Sequence, residues 1–158
     1  MLLNVLRALL PCILLLGTAC TSQQASLTDG PPQHLVQSAR EFFEAYTRDL
    51  RAHNRGRLAQ YYDPNGAIIV IAGQRRFYSR AALDTFYRGA WTAPAYFAWD
   101  TLAFDSLSSD LVLVTGTFKW LVPERPDTAR YIYASILQAV DSGLAIRLEH
   151  ETPAPRPR

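Results

Sequence analysis

His150 is the side chain in this sequence best suited to moving a proton, because an imidazole titrates nearest neutrality. It closes the stretch Gly143-Leu-Ala-Ile-Arg-Leu-Glu-His150, in which the apolar series Leu144, Ile146, Leu148 is continued by His150 itself. A regular strand carries every second residue to one face, so His150 is expected to face inward at the rim of a cavity, as a neutral hydrogen-bonding group. General acid/base chemistry there needs a partner. Glu149 and Glu151 fall on the opposite face of a regular strand and could serve only through a bulge. Asp100, within the alternation Tyr96, Ala98, Asp100, Leu102, Phe104, is the remaining acidic candidate, and its alternative role is that of a solvated strand residue. Tyr133 stands opposite His150 if Asp141-Ser142 form a two-residue hairpin loop. If Asp141-Ser142-Gly143 form a three-residue loop with Gly143 in the left-handed region, Ala134 faces His150 among Ile132, Ile136 and Val140. Both registers stay open.

Other chemistries lack their residues. His34 lies in a polar leader and His53 ends a helix, so no His/Asp/Glu set has ligand spacing and no metal site is expected. A Ser nucleophile elbow and a phosphate-cradling Gly loop are absent from the sequence, and no cofactor is implied. The formal net charge is +2 with acidic and basic residues interspersed, and Lys119 is the only lysine. That excludes the basic face a nucleic-acid backbone requires.

Aromatic residues are plentiful, Trp91, Trp99, Trp120, Tyr61, Tyr78, Tyr96 and Phe97 among them, and burying each is worth roughly 2 kcal/mol. Not all fit a single core. The surplus is expected to line a cavity or a dimer surface, with His150, Tyr46, Tyr61, Trp91 and Tyr133 as the ligand-contacting set.

The elements that must position these groups are legible from periodicity. The 158 residues, 49% apolar, suffice for one domain with a real core. Leu35, Ala39, Phe42, Phe43, Tyr46, Leu50 and His53 recur every three or four residues and predict a helix over about 33–54. A short helix over 57–62 is stopped by Asp63-Pro64-Asn65-Gly66, and a strand over 67–72 turns at Gly73-Gln74 into a brief strand over 75–78. Ser79 is placed to cap a third helix whose Leu83, Phe86, Tyr87 and Trp91 share a face. From residue 95 the period changes to two, predicting strands over 95–105, 110–122, 129–140 and 143–152 as a long meander. This order implies an α+β domain with helices covering one face of a strongly curved antiparallel sheet.

The N-terminus carries Arg7, an apolar run from Ala8 to Leu16 and small residues up to Cys20. The run is too short for an ordinary membrane span and reads as an export signal over 1–19. Leu16-Gly-Thr-Ala-Cys20 resembles the lipobox of bacterial lipoproteins, with Gly17 where Leu or Val is usual. The resemblance implies acylation of Cys20, the sole thiol once Cys12 leaves with the signal, and a membrane anchor in the cell envelope. Thr21, where an Asp would retain the protein at the inner membrane, implies the outer membrane in a Gram-negative cell. Residues 20–33 are expected to be a flexible tether, 34–152 the folded domain and 153–158 a frayed Pro/Arg tail.

Phe43-Glu-Ala-Tyr46, Arg57-Leu-Ala-Gln-Tyr-Tyr-Asp63 leading into Gly66-Ala-Ile-Ile-Val70, and Gly143 to His150 together resemble the nuclear transport factor 2-like superfamily and its SnoaL-like domains. The resemblance covers about residues 34–152 and implies a cone of cystatin-like architecture around an apolar cavity, in a superfamily of isomerases, dehydratases, cyclases, hydrolases and binding modules. Ketosteroid isomerase-like members carry a catalytic carboxylate near the end of the first strand, where Ile68-Ile-Val-Ile-Ala72 has no acid. Tyr46 occupies the helix on which such enzymes keep a hydrogen-bond donor. Two functions therefore stand side by side. One is an envelope lipoprotein that binds a small apolar ligand or pairs as a homodimer through the outer sheet face. The other is a lyase, isomerase or hydrolase using His150 as general acid/base with Tyr133 or Asp100.

Overall fold

A computed structural model describes residues 33–123 and 127–155. The expected signal, Cys20 and the tether up to residue 32 lie outside the described residues. Helix α1, Gln33–Arg51, buries the stripe Leu35, Ala39, Phe43, Tyr46 and Leu50 that its spacing predicts. It ends before residue 54 because His53 turns to φ 53°, outside the helical region, and its ring bonds the Pro94 carbonyl at 2.8 Å. Helix α2, Arg55–Leu58, runs into a 3-10 turn over Ala59–Tyr61, which delivers Tyr62 to the core. Strands β1, Ala67–Ile71, and β2, Gln74–Tyr78, form a hairpin with Ala72 and Gly73 as its two-residue turn. In α3, Arg80–Arg88, the Ser79 hydroxyl accepts the Ala82 N–H at 3.2 Å, the cap anticipated from sequence.

The meander consists of β3, Tyr96–Ser106, β4, Leu111–Leu121, β5, Ala129–Val140, and β6, Gly143–Pro153. The six strands form one curved sheet in the order β2-β1-β6-β5-β4-β3. Every pairing is antiparallel except β1 with β6, which is parallel. The helices cover the inner face, where Phe43, Tyr62, Val112, Val114, Tyr133, Leu137 and Ile146 are sealed from solvent. The fold is α+β, as the order of elements implies.

Two bulges decide which side chains face inward. In β3 the register slips between Trp99 and Thr101, leaving Asp100 without a partner on β4. Opposite the slip, a Cβ on Gly116 would collide with the Thr101 carbonyl, so the close approach requires glycine there. In β6 the pairs Leu137 with Ile146 and Ile136 with Leu148 leave Arg147 as the extra residue. An unpaired residue exchanges the two faces of the strand beyond it. Leu144 and Ile146 therefore point into the cone, but Glu149 and Glu151 continue that face, while Leu148 and His150 turn outward. Trp99 and Trp120, expected to leave an apolar outer face, instead line the interior. The outer face carries Leu113, Ile136, Leu148 and the half-exposed Ile132 beside the ion pairs of Asp100.

Candidate functional site

The cone encloses a cavity of about 350 Å³ whose walls are mostly Trp, Tyr and Phe. That volume lies toward the lower end of the range for small-ligand sites. α1 supplies Tyr46, the chain after the 3-10 turn Tyr62, and α3 Tyr87, with Trp91 just beyond. The meander supplies Phe118, Trp120 and Tyr133. Ile71 at the end of β1 and Phe86 on α3 line it yet are 53% and 45% exposed, so the mouth lies between them. A larger groove of about 730 Å³ runs between α1 and β3 beneath Arg40, Arg48 and Arg51. It is open to solvent and has no converging buried polar groups, so the enclosed cavity is the better candidate.

The polar groups of the cavity converge on β6. Glu149 is buried and accepts two phenolic hydrogens, from Tyr62 at 2.6 Å on Oε2 and from Tyr133 at 3.0 Å on Oε1. Tyr62 also bonds the Tyr87 hydroxyl at 2.8 Å. A phenol has one hydrogen, and that of Tyr62 is committed to Glu149, so Tyr87 donates to Tyr62. The chain of bonds thus runs from Tyr87 through Tyr62 to the carboxylate. Burial pushes the Glu149 carboxyl up, and the hydrogen bonds from Tyr62 and Tyr133 oppose that rise. Burial and the charge of Glu149 together raise Tyr62 and Tyr133 well above the usual phenol range, so both stay protonated donors. Tyr46 is raised likewise, first by burial.

Glu151 lies two residues on, along the same face, with its side chain in the cavity wall. Glu151 is half-buried; among the described residues no hydrogen bond offsets its loss of solvent, and that loss followed by the charge of Glu149 pushes it up to about 8. Two carboxyls sharing an apolar pocket titrate as a unit, one giving up its proton much more readily than the other. Chemically, the arrangement can hold a ligand group against a fixed carboxylate, or exchange a proton with it near neutral pH.

The residues singled out by sequence divide accordingly. Tyr46, Trp91 and Tyr133 line the cavity. Tyr61 is buried but outside it, donating at 2.6 Å to Asp49. His150 does not face inward: it pairs with Ala134 and Val70 on the outer side of the sheet and bonds the Thr152 hydroxyl at 2.9 Å. The bulge at Arg147 is the cause. Asp100 is also on the outside, held by Lys119 at 2.9 Å and Arg130 at 2.6 Å. Those two partners keep its carboxyl below the usual range, and it does not meet His150 or the cavity. Tyr133 therefore finds Glu149 as its partner, not His150. Strict alternation admits Glu149 and Glu151 only through a bulge, and the bulge at Arg147 supplies it; Tyr62 and Tyr87 carry no signal beyond core spacing. Among the described residues no group of three or more His, Cys, Asp or Glu could hold a metal ion.

Comparison with solved structures places this geometry in a known architecture. A nuclear transport factor 2-like protein of unknown function from Pseudomonas putida KT2440 superposes with a TM-score of 0.67 at 15% identity, covering 81% of this chain and 92% of that one. This chain has the nuclear transport factor 2-like fold. A cystatin-like fold protein from Burkholderia xenovorans LB400 matches with a TM-score of 0.64 at 11% identity, covering 80% of this chain and 96% of that one. A ketosteroid isomerase-like protein from Erwinia carotovora atroseptica SCRI1043 matches with a TM-score of 0.62 at 11% identity, over 77% and 97%. No protein-family model matches the sequence, and no curated protein does. At such identities the nuclear transport factor 2-like cone is shared and the side chains in it are not, so function must be argued from Glu149, Glu151 and their surroundings.

Proposed function

We propose that this chain is a lipid-anchored domain of the cell envelope whose cone binds a small, mostly apolar molecule. The observation that carries the binding reading is the aromatic cavity of about 350 Å³ with Glu149, held by two phenols, at one side and the Glu151 carboxyl, without a hydrogen bond among the described residues, beside it. An apolar wall with a few converging polar groups supplies affinity through burial and orientation through the carboxylates. A screen of neutral aromatic and alicyclic fragments by ligand-observed magnetic resonance tests it. Binding is expected in the mature chain and is expected to vanish in Leu83→Trp, which fills the cavity, provided that variant still melts cooperatively. Fragment binding that survives the filled cavity would place the site elsewhere.

Anchoring rests on the lipobox-like segment ending at Cys20, and self-association on the apolar stripe of Leu113, Ile136, Leu148 and Ile132 across the outer face. Expression in a Gram-negative host checks both. Wild type is expected with the membranes, and Cys20→Ala in the soluble fraction, sedimenting as a dimer at tens of micromolar, roughly the range of ordinary association constants. A soluble wild type removes the anchor, and a monomeric variant removes the dimer.

A second reading is favoured by Glu151. A carboxyl that titrates near neutrality in a largely apolar cavity, without a hydrogen-bond partner among the described residues, suits abstraction or delivery of a proton on a bound substrate. It takes over the role for which His150 lacks the position. Here the fixed donors Tyr62 and Tyr133 serve Glu149 and not the substrate, so Glu151 would be the acid/base that meets the reacting atoms, with the Tyr46 hydroxyl in the same wall.

A further inference from the structure

The cavity has a one-sided charge balance. Glu149 and Glu151 project into it, while among the described residues no Arg, Lys or His lines it. Three cations reach the wall from outside and each is spent on a backbone carbonyl: Arg51 on that of Phe97 at 3.0 Å, Arg80 on that of Tyr62 at 3.0 Å, and Arg55 on that of Tyr87 at 2.9 Å, with its guanidinium 5.3 Å from the Trp91 ring. The nearest other basic groups on β4 and β5, Lys119 and Arg130, are paired with Asp100 on the opposite face of the sheet. Aromatic rings, Trp120, Phe118, Tyr131 and Trp99 among them, line the same cavity and supply the kind of π surface that attracts a cation. Such a site penalises an anion by repulsion and desolvation. A neutral ligand draws nothing from either carboxyl and leaves Glu151 holding its proton. A cation satisfies both features at once.

Resting on the reading of the cavity as a ligand site, we infer that its ligand is an organic cation: a compact aromatic or alicyclic body bearing an ammonium group that docks beside Glu149 and Glu151. The ammonium supplies the counter-charge the protein does not, and the rings of the wall accept both its apolar body and its diffuse positive charge. The raised pKa of Glu151 agrees with this assignment, since the empty cavity is the state in which that carboxyl holds its proton. The titratable groups facing it are Tyr46 from α1, Tyr62, Tyr78 from β2, Tyr87 from α3, Tyr131 and Tyr133 from β5, and Glu149 beside it; all are acids. Binding of a permanently charged cation at pH 7 should therefore release a proton from the pair.

The test uses three probes of nearly equal shape on the mature chain: benzyltrimethylammonium, its neutral isostere neopentylbenzene, and the anion phenylmethanesulfonate. Calorimetry is expected to show the cation binding at least about tenfold more tightly than the hydrocarbon, with the sulfonate not binding. Titrations in buffers of different ionisation enthalpy should show proton release with the cation and none with the hydrocarbon. Glu151→Gln is expected to weaken the cation about tenfold and leave the hydrocarbon unchanged. If the hydrocarbon or the sulfonate binds as well as the cation, or Glu151→Gln leaves cation affinity intact, the charge assignment is overturned while the cavity remains a ligand site. If none of the three binds and neutral fragments also fail, both readings fall.

Discussion

Replacing Glu151 by Gln should make the domain more stable above pH 8 and leave its stability nearly unchanged near pH 4. The sign follows from the direction of the shift. In the unfolded chain Glu151 titrates at its ordinary 4.5, and in the folded chain at about 8. Between those values the folded state binds more protons than the unfolded one, so stability falls as pH rises through this window. Near pH 4 the side chain is protonated in both states, and Gln, neutral and of the same shape, mimics it. At pH 9 wild type must hold two carboxylates in one apolar wall and the variant only one. The difference is on the order of a few kcal/mol, enough to raise the melting temperature of a domain this size by at least about 5 °C. Thermal denaturation of both proteins from pH 4 to 9 reads it directly. Parallel curves would mean that Glu151 is solvated in the folded state, and the proton-transfer reading would lose its basis. A gain of stability on removing a charge is also the expected mark of a group kept for binding or chemistry.

The same side chain shows how far the sequence could be read. The helices and the strand limits follow from periodicity because local spacing causes them: Phe43, Tyr46 and Leu50 must share a face if α1 is to bury anything, and they do. The facing of residues late in a strand is a different kind of fact, since it accumulates along the chain and a single unpaired residue reverses it. That reversal happens twice. In β3 the alternation Tyr96, Ala98, Asp100, Leu102, Phe104 was read as one face, but the slip at Asp100 puts Phe97 and Trp99 inside before it and Leu102 and Phe104 inside after it. In β6 the two-residue loop register holds from Val140 with Gly143 to Leu137 with Ile146, and the other register, with Ala134 opposite His150, holds beyond Arg147. The two-residue loop is the one that forms, and the bulge at Arg147 then gives His150 the partner that the three-residue loop predicts. Arg147 gives no local signal of its bulge, because what favours the slip is long-range: its guanidinium reaches the Gly66 carbonyl at 2.6 Å and β6 there passes from Tyr62 to the parallel partner β1. Glu149 and Glu151 were consequently legible as acids and illegible as cavity groups.

Removing the hydroxyls that hold Glu149 should cost stability in a way that depends on pH. In wild type this buried carboxylate keeps two donors, Tyr62 and Tyr133, and each bond to a charged acceptor is worth more than a neutral one. Tyr62→Phe removes one donor and also strands the Tyr87 hydroxyl, while Tyr133→Phe removes the other donor alone. Each is expected to cost about 1–3 kcal/mol near neutral pH. In the double variant Glu149 has no donor and escapes the full penalty only by taking up a proton. Its folded pKa then rises further, so the loss should be smallest at pH 5 and grow to on the order of 3–5 kcal/mol by pH 9. Adding Glu149→Gln to the double variant should recover most of that high-pH loss, because it removes the charge that had to be neutralised. Tyr61→Phe is the control: Asp49, though buried, loses the bond from Tyr61 but keeps the largely exposed Arg57 at 3.1 Å and Asn54 at 3.1 Å, so the loss should be smaller and should not grow with pH as in the double variant. Urea unfolding at pH 5, 7 and 9 separates the cases. A loss in the double variant that is flat with pH, and not recovered by Gln, would show that Glu149 is already protonated in the folded protein. The cavity would then hold a neutral acid, and the pairing of a free carboxylate with a fixed one, on which the affinity for a cation depends, would not exist.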